Sequence, residues 1–118
     1  MKKIVFCITI LIFFGLNADT IHVPDDYSSI QSAIEVSFDG DLIIVQPGIY
    51  VENLNFSGKA ITLGSLFYTT QDTSYISQTI IDGNQNGSVI TFNNEEDSTA
   101  VLTGFSISNG DTLWFGGE

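Results

Sequence analysis

The order of apolar and polar residues divides the chain into an apolar leader, a helical segment and a series of short strands. Residues 4–16 form a continuous apolar run behind a short basic start. Apolar residues then recur at helical spacing over residues 29–37, which predicts a short amphipathic helix capped by Ser28 or Ser29. After Gly40 the apolar positions change to a period near two, as is typical of strands.

Short strands separated by turns rich in glycine and asparagine are predicted for most of the remaining chain. The predicted strands cover residues 21–24, 42–45, 53–56, 61–63, 79–81, 89–92 and 99–108. In the last of these the apolar positions change phase at Gly104, which predicts a bulge or kink there. Residues 68–78 are polar without a regular period and are predicted to form an inserted loop.

The predicted elements leave two architectures open, an antiparallel sandwich and a solenoid of stacked coils. Simple alternation of strands and helices is excluded because no helix is predicted between the strands. A single helix ahead of the strands is expected of a cap that covers the end of a stacked core. Clean two-residue hairpin loops are missing from the pattern. The solenoid is therefore favoured.

Residues 1–18 have the three-part pattern of a secretory signal peptide. Two lysines precede the apolar run, and Ala18 provides a small residue at a plausible cleavage site. A spanning helix needs roughly 20 apolar residues, so cleavage is favoured over a membrane anchor. We expect residues 19–118 to be secreted to the extracellular space or the cell surface, with the periplasm as an alternative, and to keep no stable membrane span.

Removal of this leader leaves a strongly acidic chain without cysteine. Fourteen acidic residues remain against one cation, Lys59, which gives a formal charge of −13. Nucleic acid is excluded as a partner because no basic patch exists that could release phosphate counterions. An anionic membrane surface is disfavoured for the same reason. Divalent cations remain candidate partners.

Several stretches resemble the start of pectin-lyase-like right-handed parallel β-helix repeat proteins, and together they cover residues 21–110. They are residues 29–34 (SIQSAI), 39–41 (DGD), 45–53 (VQPGIYVEN), 61–63 (ITL), 80–83 (IIDG) and 104–110 (GFSISNG). The resemblance implies an all-β fold, a right-handed single-stranded parallel β-helix (solenoid) with a short amino-terminal capping helix. Residues 19–118 would be the amino-terminal part of such a domain, truncated. It also implies structural roles for Tyr50 and Glu52.

The same family contains pectate lyases, pectin esterases, polysaccharide hydrolases and non-catalytic surface proteins. The resemblance implies that the lyases and esterases need an arginine, and residues 19–118 contain none. We therefore expect a secreted scaffold, adhesin or carbohydrate-recognition surface without a complete active site, with polysaccharide or cell-surface components as partners. The alternative is the amino-terminal portion of a polysaccharide-active enzyme whose catalytic coils lie beyond Glu118.

Calcium is the one cofactor that the sequence suggests. Asp82, Asn84 and Asn86 match the D-x-N-x-N-G opening of a calcium loop, in which carboxylate and amide oxygens converge on a hard cation. The match then fails, because the twelfth position is Asn93 instead of a glutamate. The alternative is a corner rich in asparagine and glycine that binds no metal.

The remaining polar and aromatic residues suggest weaker hypotheses. Asp39 and Asp41 are expected to be turn and cap residues instead of a catalytic pair. His22 is expected to be a partly exposed structural residue and not the base of a catalytic triad. Four aromatic residues are candidates for stacking on sugar rings, namely Tyr68, Tyr75, Trp114 and Phe115.

Overall fold

A computed structural model of the chain describes residues 18–92 and 99–110. The predicted leader, Ala18 apart, lies outside the described residues. These residues contain nine strands: β1 (Thr20–Val23), β2 (Leu42–Val45), β3 (Gly48–Val51), β4 (Leu54–Asn55), β5 (Thr62–Ser65), β6 (Thr79–Asp82), β7 (Ile90–Thr91), β8 (Val101–Thr103) and β9 (Ser106–Ser108). It has three helices: α1 (Ile30–Val36), α2 (Leu66–Thr70) and α3 (Ser74–Gln78).

The strands form three sheets in which every described pair is parallel. The sheet orders are β1-β2-β5-β8, β3-β6-β9 and β4-β7. From β2 onward the chain passes through the three sheets in turn. Neighbouring strands of one sheet therefore come from successive passes, and their equivalent positions lie side by side. One such row joins Val51, Asp82 and Ser108. No pair of strands is antiparallel in the described part, so the alternative of an antiparallel sandwich is not observed.

The core lies between the sheets. Burial alternates along β6, whereas three consecutive residues are buried in β2 (residues 43–45) and in β5 (residues 63–65). Fully buried side chains come from all three sheets, and they include Val45, Leu63, Ile81 and Leu54. Burying a side chain of this size stabilises the fold by about 1.5–3 kcal/mol relative to leaving it exposed. Where burial alternates, as at Leu54 and Phe56, the period-two pattern located the buried residues from the sequence.

Helix α1 closes one side of this core. Ser29 is its N-cap, since the Ser29 Oγ accepts a hydrogen bond from the Ser32 amide at 3.1 Å. The apolar face of the helix is buried against β1, β2 and β4. The Gln31 side-chain amide also pairs with the backbone of Asn55, which it meets at 2.9 and 3.2 Å. Gln31 thereby satisfies the edge of β4 that no strand of the described residues covers.

Two short helices occupy most of the stretch that was predicted to be a loop. Ser65 caps α2 by accepting a hydrogen bond from the Phe67 amide at 3.1 Å. Helix α2 then lies against β5 and β2. A Cβ on Gly64 would come within 2.8 Å of the Tyr68 Cβ, so glycine is required for this close approach. The chain does bend at Gly104, which has φ +85°, but the predicted single strand at residues 99–108 is two strands, β8 and β9, that belong to different sheets.

The predicted all-β fold class is wrong. The described part is mixed α/β, with about 20% helix and 34% strand, and its strands form short parallel sheets instead of a closed solenoid. The prediction failed because the polar stretch at residues 68–78 gave no helical period, although the chain there forms two short helices, of which the first is capped by Ser65. In the described part no helix has both the length and the apolar character that a membrane span requires.

Candidate functional site

The predicted metal ligands lie at the end of β6 (Asp82) and in the following corner (Asn84 and Asn86), which connects two of the sheets. We call residues 83–88, together with Asn53 and Asn109, the asparagine corner. Only Glu52 and Asn53 separate β3 from β4, whereas residues 83–89 separate β6 from β7. The longer connection therefore projects outward at this point.

Hydrogen bonds fix the asparagine corner from both sides. On one side the Asn53 Nδ2 donates to the carbonyl oxygens of Gly83 and Ser88, at 3.2 and 3.1 Å. On the other side the Gly83 amide donates to the Ser108 carbonyl at 2.9 Å. The Gln85 amide donates to the carbonyl of Asn109 at 2.7 Å. The corner is thus a defined structure, held by the preceding and the following connection.

Three residues of the corner other than glycine adopt the left-handed backbone conformation. Asn84, Gln85 and Asn109 have φ values of +54°, +61° and +55°. Asparagine tolerates this region better than most residues because its short polar side chain can hydrogen-bond locally. The turn leaves the side chains of Asn84, Gln85 and Asn86 exposed to solvent. Each of them offers amide donors and a carbonyl acceptor.

Asp82 precedes the corner and is held by it. The Asp82 Oδ1 accepts hydrogen bonds from the Asn84 amide at 2.8 Å and from the Asn109 Nδ2 at 3.0 Å. These bonds favour the charged carboxylate, so they lower the pKa of Asp82, the Asn109 bond most strongly. Asp82 is therefore ionised at neutral pH and acts as an acceptor only.

The predicted calcium ligands are only partly brought together. Asp82 and Asn84 are joined through the backbone amide of Asn84, and the Asn86 amide donates to the Gly83 carbonyl at 3.0 Å. The predicted twelfth position, Asn93, lies outside the described residues. Over residues 18–92 and 99–110 no group of three or more histidine, cysteine, aspartate or glutamate residues could hold a metal. Among the predicted ligands only Asp82 provides a carboxylate, and its Oδ1 already accepts two hydrogen bonds. Calcium binding therefore stays a prediction.

The two aspartates considered as a catalytic pair each hold a loop. Asp41 is buried and accepts hydrogen bonds from the amides of Asp19 and Phe38, at 2.9 and 2.8 Å. Asp39 Oδ1 accepts from the Ala60 amide at 2.9 Å. Both carboxylates therefore serve as backbone acceptors, in line with the predicted turn and cap roles.

His22 is also found in a structural setting. Its side chain is exposed on β1, and its backbone amide donates to Asp26 Oδ2 at 2.8 Å. This contact stabilises the turn that follows β1.

The helix α1 contacts of Glu52 and Lys59 were not predicted from the residues. Glu52 accepts from the amides of Ile30 and Gln31, both at 2.9 Å. Lys59 Nζ donates to three carbonyl oxygens at the other end of the helix, at 2.7–2.8 Å. No local sequence signal could reveal these contacts, because each joins residues more than 20 positions apart. For Glu52, the resemblance had implied only a structural role.

Tyr50 is structural as well. Its hydroxyl donates to the Gln46 carbonyl at 2.8 Å, and its ring packs against the core. Burial raises the pKa of Tyr50, and the nearby charges of Glu52 and Asp25 raise it further. The hydroxyl therefore stays protonated and remains a donor.

The aromatic residues considered for sugar stacking are separated by the structure. Tyr68 is 42% exposed on α2, while Tyr75 on α3 is half-buried. Trp114 and Phe115 lie outside the described residues. Tyr68 is thus the one member of that set that presents a well-exposed ring within residues 18–92 and 99–110.

Comparison with known proteins found no similarity: no family model matches the chain, and no curated protein or solved structure matches it.

Proposed function

We propose that this protein is a non-catalytic module of an exported protein, and that the asparagine corner is a recognition surface for neutral carbohydrate. The observation that carries the proposal is the exposure of three consecutive amide side chains, Asn84, Gln85 and Asn86, on a backbone fixed from both sides. Each amide can donate to one sugar hydroxyl and accept from another. A rigid support lowers the entropy that binding has to overcome.

The contacts of the charged side chains support a neutral ligand. Asp41 and Glu52 accept hydrogen bonds from backbone amides, and Lys59 donates to backbone carbonyls. These charged groups stabilise the fold and are not free to act on a substrate. The chain as a whole carries a formal charge of −11, which repels polyanions, including nucleic acid.

Affinity electrophoresis in gels that contain soluble polysaccharides tests the proposal. The panel contains neutral glucans, xylans, galactans and mannans, with polygalacturonate as the anionic comparison in the presence and absence of calcium. We expect at least one neutral polysaccharide to retard the protein, and polygalacturonate without calcium to leave its mobility unchanged.

Two variants locate the binding surface. The double variant Asn84→Ala with Gln85→Ala should lose the retardation, because it removes two of the exposed amides. Gln78→Ala removes an exposed amide outside the corner and should bind like the unaltered protein. Absence of retardation by every neutral polysaccharide, or equal retardation of the double variant, would contradict the proposal. Release of unsaturated or reducing-end products would instead favour the alternative, a portion of a polysaccharide-active enzyme.

A further inference from the structure

Four dipeptide steps in the chain consist of asparagine or aspartate followed directly by glycine. They are residues 39–40, 82–83, 86–87 and 109–110, and all lie within the described part. In such a step the backbone nitrogen of glycine can reach the preceding side-chain carbonyl, because glycine has no Cβ to obstruct the approach. Structure decides whether that approach occurs, since hydrogen bonds can hold both reacting groups.

The step at residues 39–40 is held on both of its reacting groups. Asp39 Oδ1 accepts from the Ala60 amide at 2.9 Å, and the Gly40 amide donates to the Ala60 carbonyl at 2.8 Å. The carboxyl group and the glycine nitrogen are thereby fixed to a neighbouring strand connection.

The steps at residues 82–83 and 109–110 are held by each other. The Gly83 amide donates to the Ser108 carbonyl at 2.9 Å. The Asn109 side chain donates to Asp82 Oδ1 at 3.0 Å, and the Asn109 carbonyl accepts from the Gln85 amide at 2.7 Å. The Asn109 side chain must therefore break its hydrogen bond to the charged Asp82 before it can turn towards the next residue, and the bond from Gln85 holds the backbone at the same position.

The step at residues 86–87 differs from the other three. The Asn86 side chain is exposed and makes no hydrogen bond with the described residues, and the amide of Gly87 makes none with them. Gly87 has φ +99°, and a Cβ built on it would meet no atom within 4 Å. Both reacting groups are thus solvated and unobstructed.

We propose that Asn86 is a site of spontaneous deamidation. Hydroxide removes the amide proton of Gly87, and the nitrogen attacks the Asn86 Cγ to form a new carbon–nitrogen bond. The bond from Cγ to the side-chain nitrogen breaks, and that nitrogen leaves as ammonia. Water then opens the cyclic imide at either carbonyl, which gives aspartate or isoaspartate at position 86. The net reaction consumes one water and releases one ammonia.

The modification changes the chemistry of the asparagine corner. The product places a second carboxylate in the turn that follows Asp82, where the unmodified chain has an amide. A corner with two carboxylates is a better ligand set for a hard divalent cation than a corner with one. The isoaspartate product also adds a backbone carbon to the turn. Deamidation therefore makes the surface more acidic with the age of the molecule.

Peptide mapping by mass spectrometry tests the proposal after incubation of the folded chain at mildly alkaline pH. Conversion at Asn86 should be roughly tenfold faster than at Asn109, because the Asn109 side chain is held by its hydrogen bond to the charged Asp82. In denaturant the two rates should converge. Enzymatic methylation of isoaspartate measures the amount of the isoaspartate product independently.

The variant Gly87→Ala provides the control, because its Cβ obstructs the approach at Asn86; since alanine is strained at φ +99°, an unchanged circular dichroism spectrum checks that the fold is retained. It should suppress conversion at Asn86 and leave the rate at Asn109 unchanged. The proposal is overturned if Asn109 converts as fast as Asn86 in the folded chain, or if Asn86 converts equally slowly with Gly87 and with alanine at that position.

Discussion

Glu52 and Lys59 bind opposite ends of the same helix. The Glu52 carboxylate accepts the amides of Ile30 and Gln31 at the amino end of α1, and the Lys59 ammonium donates to carbonyls at its carboxyl end. Each charge complements the helix dipole, whose amino end is positive and whose carboxyl end is negative. A seven-residue helix is too short to be stable alone, so these contacts fix it against the core.

Replacement of Glu52 by glutamine should destabilise the fold by about 1–3 kcal/mol, because one charge-assisted acceptor is lost and an amide donor then faces a backbone donor. Chemical denaturation measures the loss. Glu35→Gln changes an exposed carboxylate on the same helix and should alter the free energy of unfolding by less than about 0.5 kcal/mol. Equal effects of the two variants would contradict the capping role.

Replacement of Lys59 by methionine should cost about 1–3 kcal/mol, because the three carbonyls at the end of α1 lose their donor. Hydrogen exchange locates the effect. The amides of α1 should lose more protection than those of β6, which has no contact with Lys59. A uniform loss of protection, or no loss, would show that Lys59 does not act through the helix.

The hydrogen bond from Asn109 should control the titration of Asp82. Because the folded-state pKa is lowered, the ionised carboxylate stabilises the fold above the unfolded-state pKa, and this contribution is lost as the pH falls through the folded-state pKa. Asn109→Ala should therefore raise the pKa of Asp82 towards its ordinary value. NMR titration of the carboxyl carbons measures the shift.

Asp72 serves as the internal control for that titration. Hydrogen bonds from the backbone and side chain of Ser74 lower the pKa of Asp72, far from Asn109 in the chain. Asn109→Ala should leave it unchanged. A shift of both carboxylates, or of neither, would show that the Asn109 contact does not set the pKa of Asp82.

Calcium binding at Asp82, Asn84 and Asn86 makes a thermodynamic prediction. A cation that binds the folded chain at a hundred times its dissociation constant would add about 2.7 kcal/mol to the free energy of unfolding. A chelator should then lower the melting midpoint of the unaltered chain and have no effect on Asp82→Asn. If the chelator leaves the melting midpoint of the unaltered chain unchanged, the prediction of calcium binding is wrong.

Local features of the fold followed from the sequence wherever one segment carries its own pattern. The predicted strand at residues 42–45 coincides with β2, and Ser29 caps α1 as one of the two proposed caps. The kink at Gly104 was visible as a change of phase. In contrast, β3 was missed because Pro47 and Gly48 indicated a turn, although Gly48 begins that strand.

Contacts between distant segments could not be predicted in this way. The residue pattern did not reveal that Glu52 binds amides of α1, or that Gln31 pairs with Asn55, because side-chain contacts over 20 residues leave no periodic signal. The asparagine corner was recognised as a turn, yet its attachment to Asn53 and Asn109 depends on the parallel register of β3, β6 and β9. The fold class was wrong for a different and local reason, since residues 68–78 gave no helical period although most of them belong to α2 and α3.

The measurement that tests the account most directly is an NMR titration of the chain with the neutral oligosaccharide that affinity electrophoresis selects. We expect the chemical shifts of the side-chain amides of Asn84, Gln85 and Asn86 to change together with a single dissociation constant, while those of Gln78 stay unchanged. Shifts that spare the asparagine corner and concentrate elsewhere on the chain would contradict it.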